Sequence, residues 1–127
     1  LLRVQGADLL QSFCQQLPLD PASRVEDPVA CAMPVAIDPA RIAQVLRVMA
    51  DEAQAGSAPE LKAEGNASLV LSAACGQGAT AGASRELAFA LAARIAGRHG
   101  GSLRRAAERI ELRLPAAGEA QAGEGQG

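Results

Sequence analysis

The sequence predicts an α+β fold, with two or three helices on one face of a mixed or antiparallel sheet. Three observations predict it. Residues Ser84 to Leu103, SRELAFALAARIAGRHGGSL, read as an amphipathic helix, a glycine stop and the start of a strand. Asp38 and Pro39 open another helix with apolar residues at helical period. The stretches Ser68–Ala74 and Arg104–Leu114 carry the apolar runs and alternation of strands. The predicted order is helix, strand, helix, hairpin, helix, hairpin.

Taken in order, Leu1 to Gln5 form a short strand. Gly6 to Leu17 put Leu9, Leu10, Phe13 and Leu17 on one helical stripe, with Asp8 in the first turn where a carboxylate suits the helix dipole. Pro18 and Pro21 stop this helix. From Val25 to Ile37, the residues Val29, Cys31, Met33, Val35 and Ile37 alternate with other residues, mostly small, which predicts a strand interrupted at Pro34. A proline there confines it to an edge or a bulge. At Asp38-Pro39 the carboxylate caps free amides, and proline lacks only an N–H that has no partner in the first turn. Ile42, Val45, Leu46, Met49, Ala50 and Ala53 line one face of this helix, which should end near Gly56.

Glu60–Glu64, a Gly65-Asn66 turn and Ser68–Ala74 form a hairpin. Leu69 to Leu71 are apolar on both faces, so their strand is central. Cys75 to Ala83, CGQGATAGA, is a loop of small residues. In the last helix Leu87, Leu91 and Ile95 fall four apart beside Ala88, Ala92 and Ala96, and this face is expected to be buried. Arg94, Arg98 and His99 suit the negative end of the dipole, and Gly100 and Gly101 end the helix. In the final strand Ile110, Leu112 and Leu114 face inward, and Glu111 and Arg113 outward. One domain is expected over 1–115. Residues 116–127, AAGEAQAGEGQG, have nothing to bury and are expected to form a disordered tail.

The composition bounds the function. The chain has 127 residues, enough for one domain, and is 49% hydrophobic with no Trp or Tyr. Its three cysteines, Cys14, Cys31 and Cys75, have no CxxC spacing, which argues against a disulfide framework or a zinc site and fits a reducing cytosol. No stretch reads as a membrane span or a signal peptide. A first residue of Leu points to a piece of a longer protein. The net charge is −2, yet from Ser84 to Pro115 seven arginines face three glutamates.

Two patterns carry a resemblance to a known family. Asp38 to Gln54, DPARIAQVLRVMADEAQ, resembles the Asp-Pro-x-Arg-hydrophobic-x-Gln-Val-Leu helix of two-component sensor histidine kinases. Leu87 to Leu103, LAFALAARIAGRHGGSL, is similar to the kinase helix that ends in His-Gly-Gly before a strand. The closing Ile-Glu-Leu-Arg-Leu-Pro, 110 to 115, fits the last strand of the family, and the resemblance covers roughly residues 6 to 115. It implies the ATP-binding domain known as the Bergerat, GHKL or HATPase_c-like fold, a two-layer α/β sandwich with a mixed sheet and helices on one face.

The nucleotide motifs of that family depart from it here. Where the kinases carry an Mg²⁺-holding Asn, this chain has Asp51-Glu52-Ala53, with Glu52 in place of the Asn. A carboxylate can still take Mg²⁺, but beside a triphosphate it adds repulsion. The adenine-reading Asp-x-Gly-x-Gly corresponds to Ala74-Cys75-Gly76-Gln77-Gly78, so Ala74, or Cys75 in a shifted alignment, stands for the Asp. A pocket built to satisfy a polar edge loses discrimination without that partner. The phosphate-facing glycines that lead into the last helix correspond to Ser84, Glu86 and Ala88. Only Ala79 to Ala83 separate these motifs, so the lid loop is missing. The pattern is similar to degenerate kinase-like domains, such as the C-terminal domain of histidine phosphotransferases.

Bland readings stand beside each site. His99, the only histidine, is a phosphoacceptor if exposed among docking residues, or simply a helix cap. Gly76 and Gly78 cradle phosphate or make a tight turn. Asp51 and Glu52 are a vestigial metal site or a solvated helix end. The arginine excess is a partner-docking face or a nucleic-acid patch, the latter disfavoured by the lack of interleaved aromatics. Cys75 is a loop thiol with no evident base.

The reading drawn from these is a non-catalytic histidine kinase-like domain, cytoplasmic, acting as a docking or regulatory module in a two-component phosphorelay. Its partner is a response regulator or another relay protein, without membrane contact. It has no catalytic residue, metal ligand or cofactor, and its vestigial pocket comprises Asp51, Glu52, Ala74, Gly76, Gly78, Ser84 and Glu86. The alternatives are a divergent but working ATP-binding domain of a sensor kinase, which needs ATP and Mg²⁺, and a basic-faced nucleic-acid module.

Overall fold

The computed structural model describes residues 1–17, 23–54, 57–65, 67–75, 83–106 and 108–117. Pro18, Pro21, Gly56, Asn66, Gly76 and Gly78, the remainder of the 76–82 segment and residues 118–127 lie outside the described residues. The elements run β1 (Leu2–Gln5), α1 (Gly6–Gln16), β2 (Val25–Glu26), α2 (Pro28–Ala32), β3 (Pro34–Ile37), α3 (Pro39–Glu52), β4 (Glu60–Glu64), β5 (Ser68–Ala74), α4 (Ala83–Arg98), β6 (Ser102–Ala106) and β7 (Arg109–Pro115). The main sheet has the order β2-β4-β5-β7-β6. Its β2–β4 pair is parallel and the others antiparallel, so it is mixed. The strands β1 and β3 form a separate antiparallel pair.

The expected single strand from Val25 to Ile37 is replaced by strand, helix and strand. Asp27 and Pro28 start α2 by the device that starts α3. The Asp27 carboxylate accepts from the Val29 amide at 3.1 Å, and Pro28 takes the first helical position. Pro34 then opens β3, a place where a strand tolerates proline. At α3 the Asp38 carboxylate accepts from the Arg41 amide. At α1 the cap works in reverse, with the Gln5 amide donating to Asp8 Oδ2 at 3.1 Å.

The inner face of the sheet is built in rows. Leu61, Leu71, Leu112 and Leu103 are register partners across four adjacent strands, and all four are buried. Leu69 and Leu114 form a second row beside Ala63. The third row is Ala73, Ile110 and Arg105. Leu10, Phe13, Ile42, Leu46 and Met49 from the helix layer close the core over these rows. The outer face is mostly polar, with Val25 and Val70 its larger apolar residues, Arg109 donating to Ser72 Oγ at 2.9 Å and Arg113 paired with Glu64. Helices on one face of a mixed sheet is therefore the observed architecture.

Helix α4 turns a different face inward from the one expected. Ala92, Ile95 and Ala96 are buried, but Leu87 is 61% exposed and Leu91 50%. Steps of four residues advance about 40° around a helix, so Leu87 lies about 80° from Ile95 and has rotated into solvent. Small alanines take the inward positions and let α4 approach α3 and β6 closely. The expected stop is present as a Schellman turn: the Gly101 amide donates to the Ala96 carbonyl and the Gly100 amide to Gly97, each at 3.0 Å. Gly100 has φ +81°, and a Cβ on Gly101 would sit 1.8 Å from the Arg113 carbonyl oxygen. Two residues assigned to the tail are tied in: the Ala116 amide donates to Ala67 and the Ala117 amide to Pro34.

Candidate functional site

The residues singled out in sequence converge where the end of α3, the start of α4 and the inner row of β6 meet. The apolar face of α3 fixes its rotation through Val45, Leu46 and Met49, and this carries Glu52 under α4, leaving it 4% exposed. Asp51, one residue earlier, stays in solvent. The expected pair of solvated carboxylates is thus corrected for Glu52: one faces water and the other is buried. A buried carboxylate needs a cation or several donors. Arg105 supplies the cation.

Arg105 occupies an inward position because β6 alternates from Leu103, and at the sheet's end there is room for a guanidinium. Its Nη1 donates to Glu52 Oε1 and Oε2 at 3.1 and 3.3 Å. Its Nη2 donates to Glu86 Oε1 and Oε2 at 3.0 and 3.2 Å. The guanidinium lies 4.1 Å from the Phe89 ring centroid, a cation–π stack. One cation thereby clamps a carboxylate from each helix. Sequence reading missed Arg105 as an individual residue; period-two alternation from Leu103 was the signal that could have placed it inward.

Beside this triad a groove of 270 Å³ is lined by Val48, Asp51, Glu52, Ser84, Arg85 and Ala88. Four of these, Asp51, Glu52, Ser84 and Ala88, are positions that the family resemblance picks out. Ala74 ends β5, and its carbonyl accepts from the Gln54 amide at 2.7 Å. The Cys75 amide donates to the Glu108 carbonyl at 2.7 Å, and Cys75 bridges to Ala53. Burial, with the Glu52 charge behind it, pushes the Cys75 thiol above its ordinary range, while Arg105 and Arg109 pull the other way. At neutral pH it is a thiol, not a nucleophilic thiolate. Gly76 and Gly78 lie outside the described residues.

His99 sits apart from this site, at the other end of α4. Its Nε2 accepts from the Asp38 amide at 3.0 Å, and its Nδ1 lies 2.8 Å from the Ile95 carbonyl oxygen. A carbonyl only accepts, so Nδ1 is the donor of this pair and Nε2 the acceptor. Nε2 joins the end of α4 to the start of α3, and Nδ1 holds the ring against the last turn of α4 itself. Of the two readings of His99, the structural one fits this geometry.

The arginines divide into two sets. Arg105, Arg109 and Arg113 are paired with glutamates. Arg85, Arg94 and Arg98, on α4, are exposed and make no ion pair among the described residues. Chemically, the triad is closed: its two acceptors and its donor satisfy one another.

The sequence matches no protein-family model and no curated protein. Among solved structures, the fold is similar to a mycobacterial sensor histidine kinase, MprB, at 14% identity with a TM-score of 0.61, covering 91% of this chain and 97% of that one. The catalytic domain of the histidine kinase ThkA gives 12% identity and a TM-score of 0.59, over 91% and 96% of the two chains. The cytoplasmic segment of the histidine kinase QseC gives 16% and 0.53, over 91% and 72%. The fold is that of histidine kinase catalytic domains. Among the described residues no helix is long and apolar enough to cross a membrane.

Proposed function

We propose that this chain is a histidine kinase-like domain that has given up ATP and serves as a docking and regulatory module in two-component phosphorelay signalling. The observation that carries this reading is the Glu52–Arg105–Glu86 triad. A triphosphate needs positive charge and free donors where its phosphates lie. The groove offers the carboxylates of Asp51 and Glu52, and the nearby guanidinium is already committed to Glu52 and to Glu86. To recruit Arg105, a phosphate has to displace Glu86 and leave that carboxylate facing it. Arg85 lines the groove but is exposed, so its charge acts through solvent. Ala74 offers no side-chain acceptor to an adenine amino group.

On this reading the residues do not suit Mg²⁺–ATP, and no phosphoryl transfer is assigned to them. The partner is a response regulator or another relay protein. The assigned compartment is the cytoplasm, as for the QseC segment whose fold this chain shares. Titration calorimetry with Mg²⁺–ATP on the full chain tests the reading. No saturable heat is expected at millimolar nucleotide. Micromolar binding would sink the proposal and restore the alternative of a working, divergent ATP-binding domain.

A further inference from the structure

The outward face of α4 carries an organised surface that the fold does not use. Leu87, Leu91, Arg94 and Arg98 are spaced by four, three and four residues, so they share one narrow arc of the helix. All four are exposed, and the two leucines are among the large apolar side chains most open to solvent in the described chain. Exposed leucines paired at one helix stripe cost solubility and contribute nothing to this core. The stripe is divided. Its first half is apolar and its second half is basic, their centres separated by about 10 Å along the helix axis. Ala90 and Gly97, also exposed, flank it and leave room for a partner to approach the helix closely.

The charges identify the occupant. Arg94 and Arg98 meet no carboxylate in the described structure, whereas Arg105, Arg109 and Arg113 are each neutralised. A second copy of the chain fits poorly, because a twofold contact through this stripe sets leucines against arginines, and the nearest carboxylate on the helix, Glu86, is already held by Arg105. Nucleic acid fits poorly as well, since the leucines occupy half of the stripe and no aromatic stacks there. We infer that the outer stripe of α4 docks an acidic protein surface, one that presents an apolar patch to Leu87 and Leu91 and carboxylates to Arg94 and Arg98. Resting on the signalling reading above, the occupant is a receiver domain with such a surface. The footprint is small, so the complex is transient and its association is sensitive to salt.

The test is an amide-shift titration of the isotope-labelled full chain in three arms. The first uses purified receiver domains encoded by the same genome, the second a synthetic helical peptide with two leucines and two glutamates at the complementary spacing, and the third a DNA duplex. The expected result is binding of a receiver domain with shifts clustered on 84–98, weakened about tenfold or more by L87E/L91E and by R94E/R98E. Raising salt should weaken wild type and leave R94E/R98E little changed. Thermal melts check that both double variants remain folded, as exposed positions allow. Receiver binding with shifts elsewhere, or indifferent to both variants, overturns the docking face and leaves the signalling reading standing. Peptide binding on the stripe with no receiver bound supports the face and overturns the signalling reading. DNA shifting the stripe, or no binding in any arm, overturns the inference.

Discussion

The two ends of α4 are held by different physics. At its C-terminal end the fixing groups are backbone and imidazole: the Schellman turn at Gly100 and Gly101, the contact of Gly101 with β7, and His99 bonded to Asp38, the residue that caps α3. Nothing there tolerates a shift of an ångström. At its N-terminal end the fixing group is one long side chain, Arg105, reaching two carboxylates across the layer. The Leu87 and Leu91 side chains on that half face water. A helix anchored rigidly at one end and electrostatically at the other keeps the fold while leaving its first turns open to a different use.

Four measurements sharpen this contrast, in decreasing size. Gly101→Ala drives a methyl into the Arg113 carbonyl, and neither backbone can yield without disturbing the turn or the sheet. A loss of at least about 3 kcal/mol is expected in the urea midpoint followed by circular dichroism. Arg105→Ala leaves Glu52 buried without its cation and should cost about 2 kcal/mol, reduced from the fully buried case because Arg105 is partly solvated. Adding Glu52→Gln should recover much of that loss. If the double variant is no more stable than Arg105→Ala, the guanidinium matters through Phe89 and packing instead.

His99→Ala removes two hydrogen bonds and should cost about 1 kcal/mol. Amide exchange at Asp38 should accelerate beyond that of its neighbours; unchanged protection would mean that the imidazole is not the clamp. The smallest effect lies on the outer face of the sheet. The hydrogen bond from Arg113 holds the Glu64 carboxyl below its ordinary value of 4.5, with the charge of Arg113 adding to it. A carboxylate held low in the folded state stabilises above its unfolded pKa, and that stabilisation is lost as pH falls through the lower folded value. Glu64→Gln should therefore differ slightly from wild type at neutral pH and converge with it in acid. An urea series across pH, with the gap widening in acid, would contradict this.

Much of the fold was legible because its signals are local. Asp38-Pro39, the glycine pair after His99 and the alternation of β7 each act within a few residues. α2 was hidden by competition between two local signals: the alternation from Val29 to Ile37 suggested a strand, while Asp27-Pro28 carried the same start signal as Asp38-Pro39. Leu87 and Leu91 were misplaced because a four-residue spacing drifts around a helix, and sequence alone does not say which of two parallel rows, leucine or alanine, faces inward. The triad was illegible for a further reason. Glu52 and Arg105 are 53 residues apart, and His99 and Asp38 are 61 apart. Such pairs exist only once the layers have been stacked.

Arg105 has one more consequence, for how the last hairpin finds its alignment. Inward positions on β7 are Ile110, Leu112 and Leu114, and those on its neighbours are mostly leucine too. Apolar alternation punishes a slip of one residue but is nearly blind to a slip of two, which exchanges one leucine for another. Such a slip moves a strand by about 7 Å. It would carry Arg105 out of reach of Glu52 and abandon a buried carboxylate. The ion triad therefore distinguishes alignments that the greasy rows cannot, and works as a gauge of strand register.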